Sequence, residues 1–477
     1  MKMFITKIRK NKFEVIVVTI AFLISIIWSI YNLKNFDNNK INFKGNWYNQ
    51  LIYADIGHNW SMADDFRKKL HDGEGFFESL PIYEKYFLPV IIVGYYYHII
   101  DKEIYVSKPN EQKVIKTDNK KFGLLLIQIV FFYSSVIFLA FQLKKKIDPL
   151  LYKLIIFFLC LEPSIIQWHS TFWTESIFLS LMIVLFSLLL KKNDKFFINL
   201  FIGIIIGLMF AQRSVSFLYI IPIFIFYFLN YKLNIKPYLF LIIGYCLIIL
   251  PIGYNNYKKT ENFHFLSKDH QYYSFYHYFA HIIKADKQKI SNQKAKEILL
   301  REEKNWIKEN SIDIKIFDDY VKNINYRNKI FAKELLDNPV FFLKLFIKKI
   351  VTMSIIHPLW VHEHFYYDKS DPESSLNPKK YYHKNFYKNL TYSLFLYPFI
   401  ILGVFFFIKK FFTREKITDF DFFLIFNIFS ILYFLFISGL WGNPKYFAPC
   451  MISVIFFFCI GFKNVIIFFR KNKEIKG

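Results

Sequence analysis

The sequence predicts an all-α polytopic integral membrane protein with about ten transmembrane helices, and three observations predict it. The chain of 477 residues is 54% hydrophobic, with 60 Phe, and its mean hydropathy is positive. Two or three soluble domains of that combined length would not carry such a composition. Apolar runs of roughly 20 residues recur, each long enough to cross a hydrocarbon core of about 30 Å. The Lys and Arg residues behind the net charge of +25 sit in short clusters between those runs. They are not gathered on one soluble face, so they read as topology signals; the lipid bilayer is the implied partner and nucleic acid is not. All four cysteines, Cys160, Cys246, Cys450 and Cys459, fall in apolar segments, so packing residues are expected rather than a disulfide framework or a ligand cluster.

Segment 1–12 is basic and 13–30 apolar, but the run is long and no small-residue cleavage site follows it. It is expected to stay as an anchor. Spans are expected at about 14–33, 122–143, 150–168, 172–190, 196–211, 214–230, 238–255, 388–408, 420–440 and 446–469. With the N-terminus cytoplasmic and all ten runs crossing, the basic stretches 144–146, 191–195, 231–236, 409–416 and 470–476 fall inside. The run 86–100 is shorter and contains Pro89 and Gly94. If it crossed, every later basic loop would flip outward, so an interfacial or re-entrant helix is expected there. The stretch 34–121 is then one outer loop.

That loop carries an amphipathic segment, 53–73. As a helix it aligns Asp55, Asn59, Ala63, Phe66 and Leu70 on one face. Arg67, Lys68 and Lys69 fall in its last turn, where cations suit the dipole, and Gly73 is a natural stop. The second outer region, 256–387, reads as helical at 293–309 and 320–336. Asp337-Asn338-Pro339 then reads as a cap opening 340–357, where Lys344, Lys348 and Lys349 interrupt the apolar run and an interfacial helix is expected. There is no internal repeat and no Pro-rich or Gly/Ser-rich linker. The organisation expected is an N-terminal transmembrane module 1–255, an outer helical region 256–387 and C-terminal transmembrane helices 388–477.

Charges within apolar helices are costly, which makes them functional candidates. Glu175 opens a run after Trp173-Thr174, Arg213 interrupts the stretch 196–230, and Lys445-Tyr446 begins the last run. Each has an ordinary reading, as a first-turn acid, a snorkelling loop residue or an interfacial anchor. In the topology above all three lie at outer helix ends, on the side of Asp55. An acid and several cations around one polar cavity suit transfer from a phosphate-linked donor: the carboxylate accepts the proton of an incoming hydroxyl, and the cations stabilise charge growing on the departing phosphate.

These residues resemble the GT-C membrane glycosyltransferases, specifically the bacterial relatives of the protein O-mannosyltransferases and the lipid A aminoarabinose transferases. Asp55, Ala63, Leu70, Gly73, Pro81 and Tyr83 match the family's first outer loop. Thr174-Glu175, Gly203 and Gly207 before Arg213, Asn338-Pro339 and Lys445-Tyr446 with Pro449 follow in the family's order. Asn59 stands where the family has an aromatic, Glu84 where it has a second Pro, and Lys445 where it has Arg. The resemblance implies an inverting transferase in the cytoplasmic (inner) membrane, active on the outer face, moving a sugar from a polyprenyl-phosphate carrier to an envelope acceptor. Asp55 would be the catalytic acid or base. Arg213, Lys445, Lys348 and Lys349 would meet the donor phosphate, and Glu175, Tyr446, Asn59 and Tyr83 would line the cavity.

Other signals are weaker. Asp64 and Asp65 are candidates for assisting acids, although Asp65 projects away from Asp55. His362-Glu363-His364 with Asp368 offers ligand types for a divalent metal, but the spacing is no recognised metal signature, and an aromatic-rich loop is the preferred reading; no cofactor is assigned. Asp419-Phe420-Asp421 falls in a cytoplasmic loop, on the wrong side for an outer site. Lys348 and Lys349 suit either a donor phosphate or anionic head groups. The rival functions are an envelope polysaccharide polymerase or ligase, which usually lacks the acid-bearing first loop, and a transporter or flippase of lipid-linked sugars. A transporter would place its polar groups near the midplane and show two similar halves.

Overall fold

The computed structural model describes residues 12–38, 54–81, 87–102, 119–169, 174–191, 195–261, 263–265, 276–313, 317–355, 378–413, 416–439 and 447–476. Every element among them is helical. The longer ones, in order, are α1 (Lys12–Asn38), α2 (Ala54–His71), α3 (Phe87–Ile99), α4 (Asn119–Leu143), α5 (Pro149–Leu161), α6 (Pro163–His169), α7 (Thr174–Lys191) and α8 (Phe196–Gln212), with a single turn of helix, Phe76–Ser79, between α2 and α3. A 3₁₀ turn, Ser214–Tyr219, leads into α9 (Ile220–Tyr231) and α10 (Ile235–Thr260). The region expected outside contributes α11 (His281–Gln288), α12 (Asn292–Glu309), α13 (Phe317–Asp337) and α14 (Pro339–Ile355). The chain closes with α15 (Pro378–Phe412), α16 (Asp419–Gly439) and α17 (Ala448–Lys476).

Eight helices among the described residues are long and apolar enough to cross a membrane. Each of the ten expected runs is helical, and the two that fail the length test alone are informative. The run expected at 150–168 is not one helix: it breaks between α5 and α6 with a bend of 44°. The physical reason lies in Glu162-Pro163. The residue before a proline is pushed out of the helical region, and Glu162 sits at φ −61°, ψ 116°. Its carboxylate then accepts from the Ser164 amide and hydroxyl, 3.3 and 3.0 Å away, starting a new helix. The other is α8, at 17 residues. The run 86–100 forms α3, whose 13 residues make about 20 Å, short of the hydrocarbon thickness.

One end of the bundle is tied by ion pairs at or near the segments expected on the inside. Lys144 Nζ meets Glu14 at 2.6 Å, Lys463 meets Asp148 at 2.5 Å, Lys410 meets Asp421 at 2.6 Å and Lys146 meets Asp419 at 3.5 Å. The starts of α1, α5 and α16 thus meet the ends of α4 and α15 and the second half of α17, as the up-and-down order of the spans requires. Asp421 is more than a loop acid: it caps α16 by accepting from Thr418 N and Oγ1 at 2.6 and 2.7 Å.

Small residues set the closest helix contacts. A Cβ at Gly203 would lie 2.1 Å from the Leu241 carbonyl oxygen, and one at Gly244 would lie 2.1 Å from that of Leu200. Only glycine lets α8 and α10 approach so closely. Gly403 and Gly461 do the same for α15 and α17. Outside the main core, Tyr276, Ala280 and Leu299 form a second small core with Ile330 and Phe331, holding α12 and α13 to the turn before α11.

Candidate active site

Helix α2 ends as its sequence dictates. Gly73 takes φ +88°, while Glu74 N donates to Lys69 O at 3.0 Å and Gly73 N to Leu70 O at 3.3 Å, the paired bonds of a Schellman cap. Its predicted face is the packed one: Ala63 and Phe66 are buried, and Gly94 of α3 faces the Ala63 carbonyl and the Phe66 ring. Asp55 and Asn59 belong to α2; their side chains lie outside the described residues, as do Tyr83, Lys445, Tyr446, His362 and His364. Asp64 is held by Arg67 Nε at 3.1 Å and Lys68 Nζ at 2.6 Å, so it serves the helix's own last turns. Asp65 is exposed.

Two of the predicted residues come together. Arg213 Nη1 lies 2.9 Å from Glu175 Oε1, with the side chains only 3% and 4% exposed. Arg213 joins α8 to the 3₁₀ turn, and its guanidinium also lies 5.8 Å from the Phe178 ring. Three tyrosines fix the turn that follows it: Tyr433 donates to Val215 O at 2.7 Å, Tyr245 to Phe217 O at 2.9 Å, and Tyr219 meets Ser430 Oγ at 2.6 Å. Across the pair, Gln212 Nε2 donates to Thr174 O at 3.0 Å. A buried pair in a fixed frame is a preorganised dipole, which is also the commonest form of a purely structural brace.

Beside it the junction of α6 and α7 is held by uncharged polar groups. His169 Nδ1 meets Ser176 Oγ at 2.8 Å, and the His169 carbonyl accepts from Gln128 Nε2 at 2.8 Å. Sequence reasoning weighted charges in apolar runs and passed over His169, Gln128 and Gln212, although a polar amide in such a run carries the same signal.

The segment between α1 and α4 is fastened to this end of the bundle by α10. Asn255 Nδ2 donates to Pro81 O at 2.9 Å, and Lys259 Nζ donates to Leu80 O. The two donors are one turn apart and grip successive carbonyls. Gly203 of α8 lies against Gly244 of α10, and carrying that register to the helix ends brings Asn255 level with Ser214, one residue past Arg213. The loop carrying the α2–α3 hairpin is therefore anchored at the height of the buried pair. Asn255→Ala combined with Lys259→Met is expected to free about 1–3 kcal/mol of local stability. The check is hydrogen exchange: amides of 74–80 should exchange faster while the bundle melts unchanged, and unaltered exchange would show that the grip is unimportant.

Lys348 and Lys349 part company. Lys348 is exposed, whereas Lys349 Nζ sits 4.1 Å from the Phe279 ring centroid. Burial pushes the Lys349 ammonium from 10.5 down to about 8. The unfolded chain keeps that proton up to about 10.5 and the folded one only to about 8, so the cost is complete below 8 and is relieved as pH rises between the two. Lys349→Met is expected to raise the melting temperature at about pH 7 and to flatten the rise in stability between about pH 8 and 10. Thermal unfolding against pH reads this; an unchanged slope would place the ammonium in water.

Near the α5–α6 break a cavity of about 330 Å³ lies among Phe158, Leu161, Glu162, Pro163, Phe395, Val454 and Phe458. Its walls are apolar apart from Glu162. Among the described residues no group of three or more His, Cys, Asp or Glu is placed to hold a metal ion.

No family model and no curated protein matches the chain. Its structure is similar to that of the Archaeoglobus fulgidus oligosaccharyltransferase in the apo form, with 13% identity and a TM-score of 0.45 over 97% of this chain and 52% of that one. It is similar, at 11% identity and the same TM-score, to the archaeal oligosaccharyltransferase AglB from Archaeoglobus fulgidus in complex with an inhibitory peptide and a dolichol-phosphate, over 98% and 52%. The chain spans about half the length of these solved structures.

Proposed function

We propose that the protein is a GT-C type glycosyltransferase that moves a sugar from a polyprenyl-phosphate carrier to an envelope acceptor on the outer face of the cytoplasmic membrane. The observation that carries this reading is the buried Arg213–Glu175 pair at the helix ends where α10 fastens the acid-bearing first loop. The basic, ion-paired end of the bundle is cytoplasmic and the end bearing Arg213 is outer. Segments 1–255, 256–387 and 388–477 are the transmembrane module, the outer region and the closing helices.

In the reaction Asp55 takes the proton of the acceptor hydroxyl as the hydroxyl oxygen bonds to the anomeric carbon. The bond from that carbon to the phosphate oxygen breaks, and attack from the opposite face inverts the configuration. Arg213, oriented by Glu175, and Lys445 face the charge that gathers on the polyprenyl phosphate. Tyr446, Asn59 and Tyr83 line the sugar site. The apolar cavity at the α5–α6 break suits part of an isoprenoid chain, since a lipid carrier needs an apolar berth. Lys349, turned onto Phe279, is given no part in the transfer.

The test is transfer in proteoliposomes from a polyprenyl-phosphate-linked monosaccharide to an envelope extract, followed by release of the polyprenyl phosphate. Donor consumption with an inverted product is expected. Activity only with a lipid-linked oligosaccharide would point to a polymerase or ligase, and movement of intact donor across the bilayer would point to a flippase.

A further inference from the structure

Helix α14 is not among the helices long and apolar enough to span, and its faces differ. Val340, Leu343, Ile347 and Val351 recur at spacings of three and four and are 63%, 55%, 51% and 47% exposed. Lys344 and Lys348 are exposed along one flank of that stripe. The opposite face is the packed one: Phe342 lies 5.8 Å from Phe279, and Lys349 reaches the same ring. Phe346 lies 5.6 Å from Phe436, which stands next to the last residue of the span Asp419–Ile437. This contact puts α14 at the membrane boundary, at the end of α16 away from the loop 409–416.

We infer that α14 is an anionic-lipid site, with its apolar stripe seated among acyl chains of the adjoining leaflet and Lys344 and Lys348 binding phospholipid head-group phosphates. Two observations name this occupant. The stripe continues the lipid-facing surface at Phe436, itself 64% exposed, and the lysines lie on one flank, where an in-plane helix turns its cations toward head groups. A helix merely solvated by water would not display four large apolar side chains in register. The site stands whether or not the protein transfers a sugar, because its readout is lipid retained.

The experiment uses the full chain in nanodiscs of phosphatidylcholine mixed with phosphatidylglycerol, with retained lipids counted by native mass spectrometry. Wild type is expected to retain phosphatidylglycerol preferentially, and Lys344→Gln with Lys348→Gln to lose that preference by about fivefold per lysine. Lys344→Arg with Lys348→Arg should keep it, and Lys349→Gln should leave it unchanged. The inference fails if the double Gln variant retains phosphatidylglycerol like wild type, or if Lys349→Gln alone abolishes it. It also fails if inorganic phosphate displaces the lipid at equal ionic strength, which would mark a free-anion site. Leu343→Gln with Ile347→Gln should weaken retention of both lipids. A change of oligomeric state instead would assign the stripe to a second copy of the chain and overturn the proposal.

Discussion

Asp55→Asn is expected to lower sugar transfer by about 10²–10⁴-fold, the range a general base supplies, with expression and membrane insertion unchanged. The substitution keeps the size of the side chain and removes only its capacity to take a proton. Helix α2 should tolerate it, because Asp55 lies in the first turn, and the packed part of its stripe is Ala63 and Phe66 further along. The KM for donor should change little, since the base acts on the acceptor hydroxyl and not on the phosphate. Asp64→Asn provides the contrast. It breaks two ion pairs within α2 and should move stability more than rate. Transfer near the wild-type level from the Asp55 variant would overturn the mechanism, and a larger rate loss in the Asp64 variant would transfer the role to that acid.

How much of this was legible beforehand depended on whether a residue's partner is local. The cap at Gly73 follows from local sequence, and of the face aligned in the sequence the described residues Ala63 and Phe66 are buried. The expectation that 86–100 does not cross rests on its length and on charge counted over the whole chain; α3 has 13 residues. The break at Glu162-Pro163 had a local signal, since proline constrains the residue before it, but the continuous hydropathy of 150–168 outweighed it. The site was harder. Glu175 and Arg213 were recognised singly because each is a charge in an apolar run; their pairing across α7 and α8 has no sequence signature. Asn255 and Lys259 look like any polar end of a helix until the carbonyls of Leu80 and Pro81 are seen beneath them. The tyrosines that secure the turn after Arg213 are three among 33, and only tertiary contact distinguishes them.

The buried pair yields the second large effect, and it separates architecture from chemistry. Arg213→Ala should destabilise the protein by about 3–5 kcal/mol, because it strands the Glu175 carboxylate in a site 4% exposed. Glu175→Ala should do the same by stranding the guanidinium. Replacing both together, as Arg213→Met with Glu175→Leu, removes the charges and their desolvation cost at once, and such exchanges are commonly neutral or stabilising. The double variant is therefore expected to melt near wild type in detergent while the singles melt well below it. Transfer then decides what the pair is for. If Arg213 stabilises the departing phosphate, the well-folded double variant should still lose about 10²–10³-fold in rate, as when one preorganised donor to a developing anion is removed. A double variant that folds and transfers normally would reduce the pair to a brace between α7 and α8 and leave the phosphate to Lys445.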